Sequence, residues 1–250
     1  MFADKQSLIN KKIYTYDLLV SYGIFNQEVK NFVLAKKLYI TSINRFPVFT
    51  KPYILLAEIL STENNFKEAL KVLLAAQKIK NRDSEIKYNL SVLYKKMGLL
   101  KEALSAINDA LKFSPNIDIY QILKSDILMD MDENEKARKI LLNLNLRQET
   151  NLYFHKEILI ARSYSNQKNY EKAESVLLKL KISYEKQKIL HLNLSNLYLN
   201  SKNLNKLKLN QPVVPILLLE EYKKKMMDMI NNGTKSQFLK LQQVAMKAVK

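Results

Sequence analysis

Apolar residues recur along most of the chain at intervals of three and four, which is the spacing of side chains on one face of an α-helix. These amphipathic stretches come in pairs that are joined by short polar segments. Glycine and proline are scarce, with 3 and 5 residues in a chain of 250. Strands joined by tight turns need many of both residues, so the pattern predicts helices with short connections.

The helix pairs recur with a period of 34 residues, with one slip of two residues after the fourth pair. We expect six repeats, at residues 16–49, 50–83, 84–117, 118–153, 154–187 and 188 to about 210. Each repeat has a small residue in its first helix, and the first five have an alanine in the second helix. One pair cannot bury its own apolar face, so stacking of successive pairs must supply the core. The small residues are Gly23, Ala57, Ser91, Ser125, Ala161 and Ser195, and the alanines are Ala35, Ala69, Ala103, Ala137 and Ala173.

The repeat at 84–117 shows the pattern most fully, in Leu90, Ser91, Tyr94, Gly98, Ala103, Ile107, Ala110 and Pro115. This pattern resembles that of the tetratricopeptide repeat family. The resemblance implies an all-α fold, a right-handed α-solenoid of antiparallel helix pairs. It also implies that partner proteins bind as peptides or helices in a concave groove, which is lined by the first helix of each repeat.

The chain is expected to divide into a repeat array at 1–210 and a C-terminal amphipathic helix pair at 211–250. Pro212 and Pro215 interrupt the pattern, and apolar residues then resume at helical spacing around Met226 and Phe238. We expect these capping helices to cover the apolar end of the array. The alternative is a basic, methionine-containing element that binds a partner or a membrane surface.

The chain is strongly basic, with 41 Lys and Arg residues against 24 Asp and Glu and a net charge of +17. Such a charge is also found in proteins that bind nucleic acid or another polyanion. Only five of the basic residues are arginines, although bidentate recognition of phosphate and guanine favours arginine. A lysine-rich solvated surface is therefore the simpler interpretation, and polyanion binding is the alternative.

Catalysis is not expected, because the sequence contains few reactive groups. It has no cysteine and two histidines, His155 and His191, and it lacks Gly-rich phosphate loops and metal-binding motifs. The acidic cluster between Asp126 and Glu133 lacks the glycine and the final glutamate of an EF-hand loop. We therefore predict no catalytic residue, metal site, cofactor or small-molecule substrate.

The predicted function is a non-catalytic scaffold or adaptor for a protein partner, and a place in a larger bacterial assembly is compatible with it. Neither a signal peptide nor a membrane-spanning segment is visible in the sequence, so we expect a cytoplasmic protein. Tyr88 and Val92 would supply apolar contacts, whereas Lys95, Lys96 and Arg162 would attract an acidic or helical segment. By position in the family, the groove would include Ile54, Glu58, Tyr88, Asn89, Val92, Lys95, Lys96, Arg162, Asn193 and Asn196.

Overall fold

The computed structural model describes residues 15–148, 150–184, 188–203 and 206. Within these residues the chain forms eleven helices and no strand, so the all-α class predicted from the sequence is confirmed. The helices are α1 (Tyr16–Glu28), α2 (Phe32–Arg45), α3 (Lys51–Thr62), α4 (Phe66–Ile79), α5 (Ser84–Lys96), α6 (Leu100–Phe113), α7 (Asp118–Asp130), α8 (Asn134–Leu142), α9 (Asn151–Asn166), α10 (Tyr170–Tyr184) and α11 (Lys188–Asn200). We call the odd-numbered helices A helices and the even-numbered ones B helices.

The chain divides into two compact units, one up to Met131 and the other from Asp132 onward. The first compact unit contains α1 to α7, and the second contains α8 to α11. The predicted C-terminal helix pair at 211–250 lies outside the described residues, so its role as a cap stays a prediction. None of the described helices combines the length and the apolar character that a membrane crossing requires.

Polar side chains define where several A helices begin. The Thr15 hydroxyl accepts a hydrogen bond from the Leu18 N–H, and the Thr150 hydroxyl accepts one from the Tyr153 N–H. The Asp83 carboxylate accepts from two backbone N–H groups at the start of α5, at 2.9 and 3.2 Å. Each of these bonds satisfies an N–H group that has no partner within the helix. In α3, Pro52 stands in the first turn, where its missing N–H is tolerated.

The turn between the two helices of each repeat has one residue with a left-handed backbone conformation. The N–H groups of this residue and of the next one bond back to the end of the A helix, as in Gly98 to Lys95 and Leu99 to Tyr94. Successive left-handed residues are 34 positions apart, except for one interval of 36 where the sequence register slips. They are Lys30, Asn64, Gly98, Asp132, Lys168 and Lys202.

The recurring small residues lie in the core, where they let helices approach closely. Ala35, Ala69, Ala103 and Ala137 have no exposed surface, and Ala173 is 1% exposed. In the third repeat the buried Ser91 hydroxyl also donates a 2.8 Å hydrogen bond to the Ala103 carbonyl, which joins α5 to α6. The small positions that the sequence analysis selected are therefore contact points between helices.

Within each compact unit, every B helix packs both against the A helix before it and against the A helix that follows, where the unit contains both. Successive A helices of one compact unit also contact each other, as α3 and α5 do and as α5 and α7 do. Side chains at equivalent positions of neighbouring A helices are therefore brought next to one another. This arrangement is the stacked helix pair of the solenoid class, and it creates the surface on which the predicted site lies.

Candidate partner-binding surface

The ten predicted groove residues fall into two groups, because they are divided between the compact units. The seven from Ile54 to Lys96 lie on α3 and α5 of the first unit, whereas Arg162, Asn193 and Asn196 lie on α9 and α11 of the second. The three side chains of the second group are half-buried, and the Asn193 amide donates to the Ile189 carbonyl of its own helix at 2.8 Å. The first group forms the better defined surface.

A small cleft of about 50 Å³ lies between α3 and α5. Four of the predicted residues line it: Glu58, Asn89, Val92 and Lys96. Ser61 lines it too, and its hydroxyl accepts a 3.0 Å hydrogen bond from the Lys96 ammonium. Glu58 and Lys96 are exposed, so the cleft has one charge of each sign beside the apolar Val92.

An aromatic pair connects α5 to α7 next to this cleft. The rings of Tyr88 and Tyr120 are stacked with centroids 5.0 Å apart, and Tyr88 is half-buried. Burial raises the pKa of the Tyr88 phenol, with further contributions from Tyr120 and Glu58. Ile54, in contrast, is 4% exposed and belongs to the core, so a partner could touch little of it. Tyr88 therefore offers more contact area than Ile54.

Lys95 is held by two carboxylates of the next A helix. Its ammonium lies 2.7 Å from Asp126 Oδ2 and 3.0 Å from Asp130 Oδ2. Burial alone lowers the pKa of Lys95, but hydrogen bonds and charge interactions with Asp126 and then Asp130 outweigh burial, so the pKa is raised. The positive charge that the sequence analysis assigned to an acidic partner is therefore already compensated within the protein.

The charges at three repeat positions of α1, α3, α5 and α7 define what we call the A-helix face. Within these four described helices the positions hold four carboxylates and two ammonium groups, an excess of two negative charges on a chain of net charge +17. The twelve residues are Ile24, Glu58, Val92 and Asp126 at the first position, Gln27, Ser61, Lys95 and Met129 at the second, and Glu28, Thr62, Lys96 and Asp130 at the third.

Sequence reasoning missed Ser61, Tyr120, Asp126 and Asp130 as members of this surface. A usable signal was present, since Asp126 and Asp130 lie 34 residues after Val92 and Lys96. The acidic cluster was instead interpreted as an isolated turn. Its first two members lie on α7 and point their carboxylates at Lys95, because neighbouring A helices are in contact.

Several lysines of the basic surface form ion pairs with nearby carboxylates. Lys36 bonds to Glu63 at 2.7 Å and Lys51 to Glu85 at 2.6 Å, which in each case connects successive repeats. Within the described residues, no group of three or more His, Cys, Asp and Glu side chains has an arrangement suited to a metal ion. His155 is exposed and His191 is buried, on α9 and α11 respectively.

Residues 50–83 and 84–117 each match the family model of the tetratricopeptide repeat. The chain carries tetratricopeptide repeats. They coincide with the helix pairs α3–α4 and α5–α6, which contain the cleft and the Lys95 ion pair donor. Tetratricopeptide repeats generally serve as non-catalytic scaffolds, and their partners are proteins. Neither this family nor the similar structures support the alternative of nucleic-acid binding.

Solved structures of other tetratricopeptide repeat proteins share the fold. A protein from Parabacteroides merdae matches with a TM-score of 0.67 at 16% identity, over 92% of this chain and 98% of its own. PilW, a type IV pilus biogenesis factor, matches with a TM-score of 0.70 at 15% identity, over 78% and 90%. YrrB, which has an unusual peptide-binding site, matches with a TM-score of 0.53 at 18% identity, over 74% and 97%. No characterised protein sequence matches this chain significantly.

Proposed function

We propose that this protein is a non-catalytic scaffold that holds a polypeptide segment of a partner protein along the A-helix face of the first compact unit. The observation that carries the proposal is the combination of the half-buried Tyr88 and Val92 with the charged rim of Glu58 and Lys96 on adjoining helices. Aromatic and apolar anchors supply most of the binding energy at protein interfaces, whereas charges at the rim select the partner.

The charge of this face favours a basic segment. Glu58 is exposed, and the excess of negative charge on the A-helix face attracts positive side chains. The acidic partner expected from the sequence is not part of the proposal, because the Lys95 ammonium is bound to Asp126 and Asp130. Lys96 remains beside the cleft and would accept a carboxylate or a backbone carbonyl of the same segment.

Two of the similar proteins are consistent with such a role. One of them has a peptide-binding site, and the other takes part in type IV pilus biogenesis. A place in a larger bacterial assembly is therefore compatible with the proposal, and a cytoplasmic location stays a prediction. Because the identities to these proteins are 18% and 15%, they support the fold on which the proposal depends rather than a particular partner.

The scaffold proposal is tested by site-specific photo-crosslinking in the cells that make the protein. A photoreactive residue at position 92 should capture one defined protein, whereas the same residue at the exposed position of Lys101 on α6 should not. The captured protein should then bind the purified scaffold, and the double variant Tyr88→Ala, Val92→Asp should lose that binding while its helical content is unchanged. Equal capture at both positions, or full binding by the folded double variant, would refute the proposed surface.

The partner's charge is tested separately with two matched variants. Glu58→Lys changes the charge of the A-helix face, and Glu68→Lys makes the same change on the exposed surface of α4. We expect Glu58→Lys to weaken binding of the captured partner and to reduce its salt dependence, and Glu68→Lys to leave both unchanged. Tighter binding by Glu58→Lys would show an acidic partner and would reject the basic segment without rejecting the scaffold. Lys95 is left intact, because a glutamate there would face two aspartates.

A further inference from the structure

One side of α1 carries a row of exposed apolar side chains, which we call the N-terminal face. Leu18, Tyr22, Phe25 and Val29 are spaced by four, three and four residues, which places them on one side of the helix. Leu18 is 49% exposed, and Phe25 and Val29 are each 56% exposed. The Tyr22 ring is stacked parallel to the Phe25 ring at a centroid distance of 6.4 Å. The face is thus ordered and apolar.

The same repeat positions are buried in every later described repeat. The residues equivalent to Leu18 and Phe25 include Ile86 and Leu93 in the third repeat, which are 0% and 2% exposed. All the others are buried as well. The complete sets are Pro52, Ile86, Tyr120, Lys156 and Leu190 for the position of Leu18, and Ile59, Leu93, Ile127, Ser163 and Leu197 for the position of Phe25.

The B helix of the preceding repeat is what covers these positions. Ile59 shares a core cluster with Tyr39 of α2, and Leu93 shares one with Leu73 of α4. In the second compact unit, Leu197 packs in a cluster with Leu177 of α10. The N-terminal face is therefore shaped to receive a helix that lies where a preceding B helix would lie. Among the described residues, no element occupies that place.

We infer that residues 1–14 of this chain supply that helix. They end directly at Thr15, the N-cap of α1, so they enter the fold from the position that a preceding B helix would occupy. Five residues separate α2 from α3. The same spacing before α1 leaves residues 1–10, which as a helix would be about 15 Å long. The row from Leu18 to Phe25 spans about 10 Å of α1, so this length is sufficient.

The sequence of this segment fits the position. Ile9 is 34 residues before Ile43, which packs against the cluster that contains Leu56 and Ile59. Phe2 and Ile9 are seven residues apart and so would lie on one face of a helix. Burying these side chains against Phe25 would remove apolar surface from water on both sides of the contact. A second copy of the chain is the competing occupant, and the experiment distinguishes the two.

The absence of cysteine from this chain makes disulfide trapping a direct test. A chain with Ile9→Cys and Phe25→Cys should form an intramolecular disulfide on oxidation at low protein concentration, because the two Cα atoms must come within about 7 Å. The matched control combines Ile9→Cys with Phe113→Cys, an exposed position on α6 of the same compact unit. A disulfide between two chains, or a yield no higher than that of the control, would overturn the inference.

A stability measurement keeps the inference testable if the cysteine variants do not fold. Ile9→Asp would place a charge in the contact with α1, so we expect it to lower the thermal unfolding midpoint. Lys11→Asp changes a residue of the same segment beyond the inferred helix and should leave the midpoint unchanged. Equal midpoints for the wild type and Ile9→Asp would contradict the inference. Neither experiment involves the A-helix face, so its outcome is independent of the proposed function.

Discussion

Tyr39 lies against Gly23 so closely that a Cβ atom at Gly23 would be 2.3 Å from Cε1 of the tyrosine ring. The ring has no exposed surface, so it has no room to move away. The smallest residue thus faces one of the largest across the helix pair of the first repeat. The equivalent pairs of the next two repeats are Ala57 with Leu73 and Ser91 with Ile107, in which the small residue is larger and its partner smaller.

Gly23→Ala should destabilise the protein by about 1–3 kcal/mol, since the added methyl group forces the packed ring to shift. In the double variant Gly23→Ala, Tyr39→Leu, the pair would match Ala57 and Leu73 of the second repeat. We therefore expect the double variant to lose less stability than the sum of the two single variants in urea unfolding. Additive losses would show that the two positions do not exchange volume.

The left-handed turn residues should respond to glycine in a position-specific way. Gly98→Ala should lower stability by about 1 kcal/mol through its backbone conformation alone, because no atom lies within 4 Å of the added Cβ. Lys168→Gly should raise stability by about the same amount, since φ at Lys168 is +60°. Urea unfolding of both variants checks the pair. A stabilising effect of Gly98→Ala would contradict the assignment of this turn.

Ser42→Ala should stabilise the first repeat. The Ser42 hydroxyl is fully buried and has no hydrogen-bond partner among the described residues. The equivalent positions of the next two repeats hold Ala76 and Ala110, both with no exposed surface. Removing an unsatisfied hydroxyl should raise the free energy of unfolding by about 1 kcal/mol. Ser91→Ala is the control, and it should destabilise because Ser91 bonds to the Ala103 carbonyl.

Alkaline pH should destabilise the protein through two buried tyrosines. Burial, helped by Glu58, raises the pKa of Tyr39 to about 12, and burial with a hydrogen bond to Glu174 raises that of Tyr198 to about 12. The folded state therefore favours the neutral phenols. Their contribution is complete below the unfolded pKa of about 10 and disappears as the pH rises through about 12.

The pH effect is measured by comparing the wild type with Tyr39→Phe. The unfolding free energy of the wild type should fall relative to that of the variant between about pH 9 and pH 12, by roughly 2 to 3 kcal/mol at most. The phenylalanine cannot ionise, whereas the titration of lysines is common to both proteins. A difference that stays constant over this range would mean that Tyr39 ionises as easily in the folded state as in the unfolded one.

The register of the repeat was predictable from local pattern. Apolar periodicity and recurring small residues indicate where helices pack, and Ala69 and Ala103 are indeed core positions. The left-handed turn residues were less visible, since lysine, asparagine and aspartate take the place of glycine at five of the six positions that the structure describes. Backbone hydrogen bonds at the end of the A helix hold these residues in a conformation that their side chains do not favour.

The sequence by itself determined the helix pairs, their order and the small side chains that separate them, because these features depend on periodicity and residue volume. Only the tertiary structure decided that Lys95 is bound by Asp126 and Asp130 and that Leu18 and Phe25 are left uncovered. A charge or an apolar side chain has the same local sequence signature whether or not a neighbouring helix compensates or covers it. That depends on side chains tens of residues away, which packing brings within a few ångströms.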